Sequence, residues 1–184
     1  MGISKKTSRK AHEIEEAIVF LVTQMSESGH NSKPFNKPVI LHSIRVGLSL
    51  YNLNYEHDIV IAGILHDLIE HSDTGPVEIA EQFGEKVTQL VQANTFDCTV
   101  GSRTQQGIEC IERCSKFGRE ALIVRAADTL ENGCYVVNMP FDENFPKFWK
   151  DEIRYLVEVS QPILADEPIW QELNQQYRQV QTLI

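Results

Sequence analysis

Residues 56–70 read EHDIVIAGILHDLIE, and this stretch decides the fold. Its apolar positions run nearly unbroken from Ile59 to Ile69, a pattern that suits a fully buried strand or a buried helix equally well. A common strand is only about 5–6 residues long, so the length of the run predicts one central helix from Glu56 to Glu70. Upstream, KPFNKP carries Pro34 and Pro38, which hold the chain extended until a helix can begin, expected from about Val39 to Leu53. Before it, AHEIEEAIVFLVTQM sets Ile14, Ala17, Ile18, Leu21, Val22 and Met25 at the spacing of an amphipathic helix, closed by the turn-forming SESGHNS. Downstream, Asp73-Thr74-Gly75-Pro76 reads as a turn into a short helix, and Phe83-Gly84 punctuates the chain before GEKVTQLVQAN. Further helices are expected at about 102–117, 119–138, 146–164 and 168–183. No internal repeat, low-complexity tract or linker interrupts them, and few stretches alternate as strands do. The expectation is an all-α protein folded as a single domain over residues 1–184.

Composition narrows the function. A formal charge of −9 argues against a protein that grips a phosphate backbone, which needs a basic face. No apolar run approaches the roughly 20 residues needed to span a bilayer. AIVFLV, after the basic start, is too short for a signal-peptide core, so a cytoplasmic protein with neither nucleic-acid nor membrane partners is expected. Cys98, Cys110, Cys114 and Cys134 form no paired motif and read as free, mostly buried thiols. Cys110 and Cys114 lie one helical turn apart but lack further soft ligands nearby.

The residues that point to chemistry are His42, the adjacent His66-Asp67, and Asp128, each set in an apolar helical segment where a polar side chain needs a reason. In VILHSIRV, His42 shares a face with Val39 and Val46. On one continuous helix His66 and Asp67 stand about 100° apart, near enough to share an ion. In LIVRAADTLEN, Asp128 is one turn from Val124 and from Asn132. Two imidazoles and two carboxylates make a mixed nitrogen and oxygen donor set, suited to Mn²⁺, Fe²⁺ or Zn²⁺ better than an all-oxygen calcium cage is. An ion with open positions acidifies water and polarises a phosphoryl oxygen, so hydrolysis of a phosphoester or pyrophosphate is the economical expectation.

The successive segments KPVILHSIRV, IAGILHDLIEHSDT, FGEKVTQLV and VRAADTLEN resemble the motifs of the SpoT-type alarmone hydrolases of the HD superfamily, over about residues 35–135. The resemblance implies a compact HD-domain helical bundle, followed here by C-terminal helices over 146–183. It further implies one divalent ion, Mn²⁺ first with Fe²⁺, Zn²⁺ or Mg²⁺ as alternatives, held by His42, His66, Asp67 and Asp128. The implied substrate is a guanosine tetra- or pentaphosphate that loses its 3′-pyrophosphate. The metazoan SpoT homologues, similar in architecture, are also described as acting on the phosphate of NADPH. A nucleotide-sensing module without turnover is the reading from another class, and a homo-oligomer is left open.

Two departures bear on the substrate. The family's Glu-Asp, which activates water, stands here as Glu70-His71, the expected catalytic residues. An imidazole at 71 can act as acid or base near neutrality, or hold a phosphate when protonated. The places of the family's Arg-Lys pair fall near Asn31 and Ser32, leaving Lys33 and Lys37 as the nearest cations, and lysine offers no flat stacking surface. Lys33, Lys37, Arg45, Arg103 and Asn132 are the expected substrate contacts, Asn132 toward the sugar and Arg103 at the start of a helix. Arg125 reads as a further cation for phosphate or as a solvated helix residue, and His12, His30 and His57 as exposed.

Overall fold

A computed structural model describes residues 5–28, 38–138 and 144–182. In chain order the helices are α1 (Lys5–Glu27), α2 (Val39–Asn52), α3 (His57–Leu65), α4 (Leu68–His71), α5 (Pro76–Phe83), α6 (Glu85–Asn94), α7 (Arg103–Phe117), α8 (Arg119–Asn138), α9 (Asn144–Leu164) and α10 (Pro168–Thr182). No strand occurs among the described residues, so the all-α reading holds.

The apolar run forms α3, buried at every residue from Ile59 to Leu65. A helix apolar on all faces needs cover on all sides, and α1, α2, α6 and α8 pack around it. The contact with α2 is close because each helix turns a glycine to the other. A Cβ on Gly47 would run into Ile64, and one on Gly63 would lie 2.6 Å from Leu50 Cδ1 and 3.4 Å from the Gly47 Cα. On the far side α7, α9 and α10 pack with α8, bringing Trp149, Leu156, Leu164 and Leu173 into the core. Gly118, at φ 116°, lets the chain leave α7 and start α8 at once.

One element differs from expectation. The helix predicted from Glu56 to Glu70 is broken at the His66-Asp67 pair: α3 stops at Leu65 and α4 starts at Leu68. Asp67 has φ −89° and ψ −3°, the sparsely used region between helix and strand. The His66 side chain binds the Gly63 carbonyl at 2.8 Å, the acceptor a regular helix assigns to the N–H of Asp67. An apolar run carries no mark of such a break, because both halves are buried.

Smaller corrections concern exposure. Val22, set by its spacing on the apolar face of α1, is exposed. Cys110 and Cys114 are buried, but Cys98 and Cys134 are exposed. His57 is largely covered, with Nε2 2.6 Å from Glu13 Oε2, whereas His12 is open to solvent. His30 lies outside the described residues. No described helix is long and apolar enough to cross a membrane.

Candidate metal centre

Three helices deliver the central side chains. His42 sits in the first turn of α2, where its N–H bonds the Pro38 carbonyl at 2.9 Å. His66 caps the C-terminal end of α3, and Asp128 lies midway along α8. All three are buried, and the imidazoles meet edge to face with centroids 5.3 Å apart. Asp128 Oδ1 is 2.9 Å from His42 Nε2 and 3.4 Å from His66 Nε2. Asp67 bridges outward, its Oδ1 3.3 Å from His66 Nε2 and its Oδ2 3.8 Å from His42 Nε2.

The His66 tautomer follows from its partner. The Gly63 carbonyl only accepts, so Nδ1 carries the proton in the neutral ring and Nε2 presents a lone pair to the cluster. A histidine oriented this way through its second nitrogen is the usual form of a metal-binding imidazole.

Asp128 is held from behind. Its Oδ2 lies 2.6 Å from Arg125 Nη2, and Asn132 Nδ2 donates to its Oδ1 at 2.9 Å. Burial disfavours the charged carboxylate, but Arg125, His42 and His66 outweigh it and hold the carboxyl well below the usual range. Arg125 is itself almost wholly buried, and the same Nη2 lies 2.5 Å from Glu152 Oε1 on α9.

A second group adjoins the first: ligand atoms of Asp67, Glu70 and His71 all lie within 4.8 Å of one another. Glu70 Oε1 accepts the Phe96 backbone N–H at 2.7 Å. Burial, then the nearby Asp67 carboxylate, push the Glu70 carboxyl up to about 7, against the pull of the Phe96 N–H, Arg103 and Arg125 toward the charged form. Arg103 spreads over the Phe96 ring 3.5 Å from its centroid while remaining exposed. A solvent-facing guanidinium thus stands beside the Glu70 end of the site.

With this geometry in place, comparison with known proteins is specific. The family described as HD domain matches residues 17–106. A guanosine-3′,5′-bis(diphosphate) 3′-pyrophosphohydrolase of Aquifex aeolicus is 38% identical over 85 residues, covering 46% of this chain and 12% of that protein. The enzyme of the same name, MESH1, from Danio rerio is 31% identical over 121 residues, covering 64% of this chain and 65% of that protein. The chain thus spans only a small part of the Aquifex relative's length and just under two thirds of the zebrafish one. Among solved structures, a metazoan orthologue of SpoT, described as hydrolysing ppGpp and acting in starvation responses, matches with a TM-score of 0.71 at 20% identity. It covers 97% of both chains. At that identity the likeness speaks for the fold, which is that of an HD-domain bundle.

Within the matched segment and the helices that follow it, the expected residues divide. His42, His66 and Asp128 offer ligand atoms within 4.8 Å of one another, and Asp67 stands beside them. Their nitrogen and carboxylate donors fit a borderline divalent cation. Glu70 and His71 adjoin through Asp67. Asn132 reaches the site through Asp128. Arg45 is half-exposed and engaged by Glu131 at 2.9 Å. Lys33 and Lys37 lie outside the described residues. Arg125, read from sequence as a phosphate contact or a solvated residue, is neither, because it is sealed between Asp128 and Glu152. Sequence reasoning also passed over Glu152, the Phe96 N–H, and Tyr135, whose ring lies 6.1 Å from that of His42. Arg125 carried a signal, a charge inside the apolar run LIVRAA, whereas Glu152 is one acid among several on α9.

Proposed function

We propose that this HD domain is a divalent-metal-dependent phosphohydrolase that removes the 3′-pyrophosphate of guanosine 3′,5′-bis(diphosphate), with residues 1–184 working as one domain. The carrying observation is the meeting of His42, His66 and Asp128 within 4.8 Å, with Asp67 linking them to Glu70. The names of the Aquifex and zebrafish relatives supply the substrate class.

His42, His66, Asp67 and Asp128 would hold the ion, and the mixed donor set favours Mn²⁺, with Fe²⁺, Zn²⁺ and Mg²⁺ next. When bound, such an ion supplies a Lewis acid toward a phosphoryl oxygen and makes water more acidic. Glu70 serves as general base: Oε1 is committed to the Phe96 N–H, so Oε2 takes the proton from the attacking water. Burial raises the proton affinity of this carboxyl, so it can take that proton and pass it to the ribose 3′ oxygen as the bond from phosphorus to that oxygen breaks, giving pyrophosphate and guanosine 5′-diphosphate. His71 contacts the departing phosphate groups, and Arg103, flat on Phe96, offers a bidentate guanidinium at the rim. Asn132 orients the sugar side while fixing Asp128.

The test is pyrophosphate or phosphate release from guanosine 3′,5′-bis(diphosphate) and from NADPH, with Mn²⁺ and with chelator. Mn²⁺-dependent pyrophosphate release from the guanosine compound is expected. Release from NADPH alone would move the substrate, and tight nucleotide binding without release from either would make the chain a sensing module.

A further inference from the structure

We infer that Arg125 and Glu152 form a positioning pair that aims Asp128 at the ion, so that α9, beyond the matched HD segment, completes the centre. The inference rests on the metal reading of the site. One guanidinium nitrogen, Arg125 Nη2, serves two carboxylates, Asp128 Oδ2 at 2.6 Å and Glu152 Oε1 at 2.5 Å. Nη1 lies 3.7 Å from Cys110 Sγ, and the guanidinium carbon sits 4.9 Å from the Phe96 centroid, so the group is enclosed on every described side.

A buried ion pair is weak evidence of stabilisation, because packed apolar side chains often do as well. The arrangement makes sense through Asp128. Arg125 lies one turn before Asp128 on α8, so the two could pair without α9. A guanidinium facing Asp128 alone would cancel its charge and leave Oδ1 a poor ligand. Glu152 adds a second negative charge on the same nitrogen. The three groups together then keep one net negative charge, and Oδ1 retains it on the side of His42 and His66. The tether on Oδ2 and the Asn132 bond on Oδ1 together set the rotation of the carboxylate.

Mn²⁺ is titrated calorimetrically into metal-stripped full-length protein. Glu152→Gln should weaken Mn²⁺ binding roughly 10- to 100-fold, the usual effect of removing a group that supports a ligand. Arg125→Lys keeps the charge but loses the planar fork, and should weaken binding less. Glu167→Gln breaks another ion pair, the partly exposed Arg119 to Glu167 contact at 2.5 Å between the start of α8 and the turn before α10, which includes none of the proposed ligands. It should bind Mn²⁺ like wild type whatever it does to Tm. Wild-type affinity in Glu152→Gln overturns the inference. Should that variant fail to fold, wild-type affinity in Arg125→Lys overturns it instead. If the wild-type protein itself takes up no Mn²⁺, the metal reading falls, and the positioning role with it.

Discussion

The two halves of the site are built differently. His42 on α2, His66 at the C-terminal end of α3 and Asp128 on α8 are buried, and are braced by the Gly63 carbonyl and by Arg125. Glu70 and His71 ride on α4, a single turn set apart by the break at Asp67, and remain half-buried. The first half is fixed by bonds to its surroundings, while the second rests on one short turn held by the Phe96 N–H. The resemblance to the SpoT-type hydrolases is complete in the first half and altered in the second, at His71.

Asp128→Asn should break the comparison most severely. Bound Mn²⁺, measured by elemental analysis, should drop to background, and activity should fall to that of chelated wild-type protein. Full metal content with normal turnover would show that Asp128 is no ligand. Glu70→Gln should separate the halves: Mn²⁺ stays bound while kcat falls roughly 10²–10⁴-fold, the usual contribution of a positioned base. Parallel loss of the ion would place Glu70 in the cage instead. Gly47→Val tests the bracing, since the added methyl groups meet Ile64 where α2 approaches α3. Overpacking of this kind costs about 1–3 kcal/mol, and urea unfolding should record it together with weaker Mn²⁺ binding as His42 moves from His66. An unchanged midpoint would show that the helices can part freely. His71→Asp should have the smallest effect, leaving metal content and stability near wild type. It should raise turnover of guanosine 3′,5′-bis(diphosphate) relative to NADPH, and an identical ratio in the two proteins would remove His71 from substrate selection.

The helices were legible because prolines, glycines and three-and-four spacing mark their limits, as at Pro38, Gly84 and Gly118. The cage was legible because each of its polar residues interrupts an apolar run. The break between α3 and α4 was not, since its cause is a side-chain bond from His66 to Gly63 that hydrophobic periodicity does not register. The bracing was hidden for another reason. Glu152 is 27 positions from Arg125, and α9 carries other acids that differ from it only in the face they occupy.

His42 and Asp128 stand 86 positions apart in the chain. An ion held between them closes a loop that spans α3 through α7, and the binding-competent arrangement exists only while those helices are packed. Metal uptake is then linked to cooperative unfolding of the bundle: at an excess of a thousand over Kd, the ion adds about 4 kcal/mol to the free energy of unfolding. Amide exchange in α3, remote from solvent, would slow along with that in the ligand-bearing turns. Metal supply in the cell would accordingly govern how long the protein lasts as well as how fast it works.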